Sequence, residues 1–432
     1  MMTDTDVSNP DVNTPATGAV TSLARAGQRA TRKRRGWSRA VLAAMVIATL
    51  GFNGWWYWRE TRPVVDLKTI ATWLRTERTA DAEMALRELL RRSPNNDEAR
   101  IMLARAVGAR GDHLGCARLL HEIPVWSTLK HEARFHEGNT FLMIDRARDA
   151  ELAWRDIVFF NPLHPAPPKL FHDAGALLLE LYAIEDRWDD AFVVIWKAFD
   201  EAAPSDRPTL LSWRIRSELE RMAYSESIKT LRRYVAADPL DWDGLHALAK
   251  AEVGVGLQED AERHYTACLK GQPENPSVWR DYLTMLYERG DEAKWLAALS
   301  RVPKAVEVEP EIWKFRGIVK EKAGDLAGAA DDYRKAIERN PNIVEYHYRL
   351  AMSEERLGKH DQAVEHRKTT QRIREARADL RVAFADFIQA EESDIAKQNS
   401  AIKHLVAICR ALGYTRAADE WARLIKDPNE FK

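Results

Sequence analysis

A 34-residue period governs the C-terminal half of this chain. Trp242, Pro276, Pro310 and Val344 each open a unit, and each start lies 34 residues after the last. Counted from those starts, position 15 is Gly256, Gly290, Gly324 and Gly358, and position 20 is Ala261, Trp295, Ala329 and Ala363. Pro273 and Pro341 stand at position 32. A fixed period with a mid-unit glycine and a late proline describes two helices joined by a tight turn. Such a unit cannot bury its apolar face alone, so it stacks on its neighbours into a superhelix. The expected fold class is therefore all-α.

Unit 310–343 carries the fullest set of marked positions. Trp313 is at 4, Gly317 at 8, Gly324 at 15, Ala329 at 20, Tyr333 at 24, Ala336 at 27 and Pro341 at 32. In this the chain resembles the tetratricopeptide repeat family. The resemblance implies a right-handed superhelix in which Gly317 and Ala329 let two helices cross closely. It also implies that Trp313 and Tyr333 fill the space between helices, while Gly324 permits the turn and Pro341 stops the second helix.

The phase extends both ways. Units 63–96, 97–130 and 131–164 keep the period, with Pro94 and Pro162 at position 32, Gly111 at 15 and Gly138 at 8. A Pro-rich stretch from Asn161 to Pro168 then shifts it. Units 172–207 and 208–241 rejoin the four clear ones, and 399–432 reads as one more, with Gly413 at 15 and Ala418 at 20. Between Gly358 and Gly413 there is neither Gly nor Pro. Good helix formers dominate there, so the second helix of unit 344–377 is expected to overrun to about Ala390. That overrun reads either as an elongated helix packed on the end of the stack or as a dimerisation helix. The expected division is a disordered tail over 1–36, a membrane helix over 37–59 and a first repeat block over 63–164. An interruption over 165–171, a second block over 172–377, an extension over 378–398 and a last helix pair over 399–432 complete it.

The membrane expectation rests on Ala40 to Trp58, which hold no charged residue. Trp37 stands before that run and Trp55, Trp56, Tyr57 and Trp58 close it, as aromatic belts do. Residues 25–39 carry Arg25, Arg29, Arg32, Lys33, Arg34, Arg35 and Arg39, against Arg59, Arg62 and Lys68 over 59–73. That excess predicts a cytoplasmic N-terminus, one span of the inner membrane and repeats in the periplasm.

The formal net charge of −1 argues against nucleic acid as a main partner. Cys116, Cys268 and Cys409 fall at interior helix positions far apart in a linear stack, so neither a disulfide nor a metal site is expected. His131 and His136 are five residues apart, whereas zinc proteases need two His four apart on one helical face. No phosphate-binding glycine loop and no Gly-x-Ser-x-Gly turn occurs. The expectation is a non-enzyme without cofactors.

The resemblance also implies where a partner would sit. First helices line the concave face of such stacks, chiefly at positions 2, 5, 9, 12 and 13. Carried onto this chain, the rule selects His246, Lys250, Arg280, Tyr287, Lys314, Tyr348, Met352 and Arg356 as a protein-binding groove. In unit 131–164 it selects the more apolar Phe135, Asn139, Leu142 and Met143. The functional expectation is a membrane-anchored scaffold that binds proteins or peptides, envelope proteins among them, with homo-oligomerisation a further option. The alternative is an accessory subunit or periplasmic chaperone of a secretion or surface-polysaccharide machine.

Overall fold

The computed structural model describes residues 41–42, 44–57, 65–160, 165–390 and 394–425, and all its regular elements are helical. The stack begins with α1 (Leu67–Arg75) and α2 (Thr79–Arg92), then α3 (Asp97–Ala109) and α4 (His113–His121), then α5 (Lys130–Met143) and α6 (Ala147–Phe159). Next come α7 (Pro168–Ile184) and α8 (Trp188–Glu201), α9 (Arg207–Leu219) and α10 (Tyr224–Ala237), α11 (Trp242–Gly254) and α12 (Gln258–Gly271). It ends with α13 (Pro276–Arg289) and α14 (Glu292–Leu299), α15 (Pro310–Lys322) and α16 (Leu326–Arg339), α17 (Val344–Arg356) and α18 (His360–Gln389), α19 (Ile395–Ala411) and α20 (Thr415–Arg423).

The repeat register is written in the backbone. Among the described residues, positive φ occurs at Glu77, Gly111, Asp145, Asp186, Gly256, Gly290, Gly324, Gly358 and Gly413. Each is position 15 of its unit. The chain leaves the first helix through the left-handed region there, which glycine enters without a Cβ penalty. Aspartate is one of the few other residues that tolerates it, through its short polar side chain. The next residue often caps the second helix. Asp112 accepts from the Gly115 N–H, Asp291 from Lys294 and Asp325 from Gly328. Each satisfies a helix-end donor that would otherwise have no partner.

Close crossing inside a unit depends on what position 8 leaves room for. A Cβ on Gly317 would stand 2.5 Å from Cε1 of the buried Tyr333, and one on Gly138 would stand 2.4 Å from Nε1 of the buried Trp154. Trp313, by contrast, is only half-buried, with Lys335 Nζ 4.2 Å from its ring centre. The large core side chains of that helix are Ile312, Phe315 and Ile318. Unit 276–309 solves its packing differently. Trp295 replaces the small residue at position 20 and packs against Tyr287 and Phe315. Its second helix stops early, at Leu299, before Pro303.

Helix α18 runs 30 residues, to Gln389. Its last turns do not stand free. Ile373, Ala376, Leu380, Ala383 and Phe384 share one core with Trp421 and Leu405 of the last helix pair, and with Phe199, Leu210, Leu211 and Ile215 of α8 and α9. Arg214 of α9 lies 3.6 Å from the ring centre of Phe192 and 4.2 Å from that of Tyr414. Arg416 of α20 sits over Trp196 and pairs with Asp200 at 2.5 Å. The stack from α9 to α20 therefore returns on itself and closes. The Pro-rich stretch is shorter than its sequence suggests, since α7 already starts at Pro168.

The membrane expectation is corrected here. No helix among the described residues is long and apolar enough to cross a membrane. Residues 41–42 and 44–57 are helical. Residues 37–40, 43, 58 and 59 of the expected span, and the tail over 1–36, lie outside the described residues. The inner-membrane location, and with it the periplasmic side for the repeats, is withdrawn.

Candidate protein-binding surfaces

In the closed part of the stack, most of the expected groove residues are committed to neighbouring helices. His246 of α11 holds Asp281 of α13 at 2.9 Å, and Arg280 donates to the same carboxylate at 2.8 Å. Burial resists ionisation of Asp281, but the His246 hydrogen bond and the Arg280 charge outweigh it and keep the carboxyl well below its usual range. Lys250 pairs with Asp186 at 2.7 Å. Lys314, expected to be exposed, is 4% exposed; it lies between Glu311 at 3.5 Å and Glu345 at 3.2 Å. The expectation failed because α17 supplies Glu345 directly opposite Lys314. Tyr346 donates to Glu311, and Arg349 donates to Tyr287 at 3.0 Å and to Glu345 at 2.9 Å. Arg356 reaches Glu321 at 3.7 Å and remains half in solvent. Only Tyr348 and Met352, 49% and 40% exposed, present apolar surface from this set.

A second ionic cluster ties the first half to the closed half. Arg187 meets Glu151 at 2.7 Å, Glu185 at 2.9 Å and Asp190 at 2.8 Å. Tyr182 donates to Glu151 at 2.8 Å. Asp186, in its left-handed turn, takes Lys250 from α11 and accepts from Tyr224 of α10 at 3.3 Å. Burial pushes Glu185 up to about 8 against the pull of Arg187, and pushes Asp241 at the start of α11 up to about 6.

The first half presents a different surface. Its inner helices α1, α3, α5 and α7 border two clefts. One, of about 630 Å³, is lined by Ala71, Leu74, Arg75, Ile101, Met102 and Leu129 with Glu98, Arg105 and Glu132. The other, of about 650 Å³, is lined by Phe135, Asn139, Leu142, Met143, Asp173, Ala176 and Leu177. In the lining of the first cleft Arg105 pairs with Glu132 at 2.9 Å, and it donates to His136 Nε2 at 3.0 Å. Burial, then the Arg105 charge, lowers the His136 pKa, which fits an unprotonated ring nitrogen accepting that bond. Met143 is 71% exposed, and Phe135, Leu142 and Leu177 are half-buried.

The profile of the tetratricopeptide repeat matches residues 316–368. That segment is identified as a tetratricopeptide repeat. The chain is similar in part to solved structures of MamA. One covers 36% of this chain and 91% of its own, at 20% identity and a TM-score of 0.30. Another, MamA 41-end from Desulfovibrio magneticus RS-1, covers 40% of this chain and 98% of its own, at 19% identity and a TM-score of 0.31. No curated protein matches the chain at a significant level.

The positional rule that the repeat resemblance implies can be applied in every unit. Applied to 63–96 and 97–130, positions 9, 12 and 13 and positions 2, 5, 9 and 13 give Ala71, Leu74 and Arg75, then Glu98, Ile101, Arg105 and Ala109. All of these line the first cleft. The sequence reading took Phe135, Asn139, Leu142 and Met143 from the second cleft and overlooked the first. The signal was the weakly marked units 63–96 and 97–130. Their phase is as firm as that of the clear ones, since Glu77 and Gly111 both take the left-handed turn.

Proposed function

We propose that this tetratricopeptide-repeat chain is a non-enzymatic scaffold that binds another protein through the concave groove of its first half, between α1 and α7. The observation that carries the reading is a contrast in the state of the inner wall. The second cleft of the first half leaves Met143 exposed beside the half-buried Phe135, Leu142 and Leu177. The wall of the closed half spends its cations on its own carboxylates. Apolar surface in a concave site is what a partner can bury with gain, whereas a saturated ion pair must first be broken. Photo-crosslinking residues placed at Met143 and at Tyr348 in the full chain test this in the native host. Specific protein adducts are expected from position 143; adducts from 348 alone would reject the reading.

A further inference from the structure

Different chemistry holds the two ends of the long helix α18. Its far turns are apolar. Leu380, Ala383 and Phe384 share the closure core with α8, α9 and the last helix pair, and no histidine is among the described residues of that core. Near its start, His366 meets His347 of α17, Nδ1 to Nδ1 at 2.9 Å, with ring centres 5.2 Å apart. We propose that this pair is an acid-sensitive latch: it holds one added proton but not two, and the second parts α18 from α17 and frees the far turns from α8 and α9. The latch is independent of what the groove of the first half binds.

The partners fix where the protons sit. The Pro341 carbonyl, 2.8 Å from His347 Nε2, can only accept, so Nε2 carries a hydrogen. In a neutral His347 the other nitrogen, Nδ1, is then an acceptor, and His366 Nδ1 donates to it. A first added proton goes to His366 Nε2. That nitrogen lies 3.8 Å from Oε2 of the buried Glu354, an oxygen without a hydrogen-bond partner among the described residues. The new N–H therefore meets a carboxylate. A second proton has only His347 Nδ1 left. It would set two N–H groups head to head at 2.9 Å on two charged rings. Like charges at that distance repel, and no acceptor remains between them, so the contact breaks.

The surroundings favour the proton-poor state. His347 is buried and His366 half-buried. Burial, above all, holds His366 below the usual histidine range. Glu354 of α17 and Glu365 of α18 draw a proton toward it. His347 and Arg334 of α16, itself paired with Asp331 and Glu354, oppose it. In an unfolded chain both histidines take up protons below about 6.5. The folded contact takes up fewer, so its contribution to stability is full above about 6.5 and is lost as the pH falls. Helix α18 is uninterrupted from His360 to Gln389, and Phe384 lies roughly 27 Å beyond His366 at about 1.5 Å per residue. A tilt that starts at His366 therefore displaces most the turns that close the circuit.

A distance measurement across the closure in the full chain tests the latch. Spin labels are attached through Glu201→Cys on α8 and Asp419→Cys on α20, two exposed positions beside the Asp200–Arg416 pair. The native Cys116, Cys268 and Cys409 are buried. Between pH 7.5 and pH 5.0 the parent should gain a population of longer distances. His366→Asn keeps an N–H near His347 Nδ1, and His347→Gln keeps one for the Pro341 carbonyl, but neither replacement titrates. In each variant the acid-induced population should fall at least twofold, and if one variant does not fold the other decides. A parent distribution unchanged between the two pH values, or the same gain in the parent and both variants, would overturn the proposal.

Discussion

The two halves of this molecule use one repeat to opposite ends. In both, the inner wall is drawn from the same positions of the first helix in each unit. From α11 to α17 those positions hold His246, Lys250, Arg280 and Lys314, and each has met a carboxylate from a neighbouring element. From α1 to α7 they hold the apolar Leu74, Ile101, Phe135, Leu142 and Met143, of which Ile101 is buried, Leu74, Phe135 and Leu142 are half-buried and Met143 is exposed. Closure separates the two cases. Once α18 to α20 pack onto α8 and α9, the second half is a circuit whose wall is crossed by paired charges. The first half stays outside that circuit and keeps its apolar wall. Family position identifies which residues face inward; the neighbouring elements decide whether an inward residue is available.

The largest expected effect strikes the closure. Trp421 is fully buried in the core that joins the last helix pair to α8 and α9. Trp421→Ala should cost about 3–5 kcal/mol in chemical denaturation, and more expanded small-angle scattering would show the circuit opened. A loss below ~1 kcal/mol with unchanged dimensions would mean that the closure contributes little. Next comes helix crossing. Gly317→Leu forces a side chain into Tyr333 and should cost about 1–3 kcal/mol, read from the same unfolding curves.

These sites also show how much could be read beforehand. The turns, the close crossing at Gly317 and the overrun of α18 follow from local rules, because glycine, small residues and uninterrupted helix formers act within a unit. Closure did not follow. It joins Arg214 to Tyr414 and Asp200 to Arg416, about two hundred residues apart, and no repeat position encodes such pairing. The exposure expected for Lys314 failed for a related reason: its partners lie in its own unit and in the next, and only the stacked structure brings Glu345 opposite it. The membrane expectation failed because no helix among the described residues is long and apolar enough to cross.

A smaller effect concerns pH at the junction of the halves. Glu185 has a folded value of about 8 against an ordinary 4.5. Its contribution to stability is therefore full below about 4.5 and declines as the pH rises toward 8. Glu185→Gln removes that dependence. The variant should gain in melting temperature relative to the parent at pH 8.5 and show little difference at pH 4.5. An equal effect at both would indicate that Glu185 stays ionised. The smallest effect belongs to Arg356, half exposed and 3.7 Å from Glu321. Arg356→Ala should change stability by no more than about 0.5 kcal/mol, because such pairs gain little over water.

The contrast between the halves is tested most directly by one paired measurement. Affinity for a crosslink-identified partner and unfolding midpoint are determined on Met143→Glu and Lys314→Ala in parallel. The account predicts that Met143→Glu loses at least tenfold in affinity with its midpoint unchanged. It predicts that Lys314→Ala keeps its affinity within about twofold and loses about 1–3 kcal/mol, because Glu311 and Glu345 lose their shared cation. Affinity lost with Lys314→Ala and kept with Met143→Glu would contradict it.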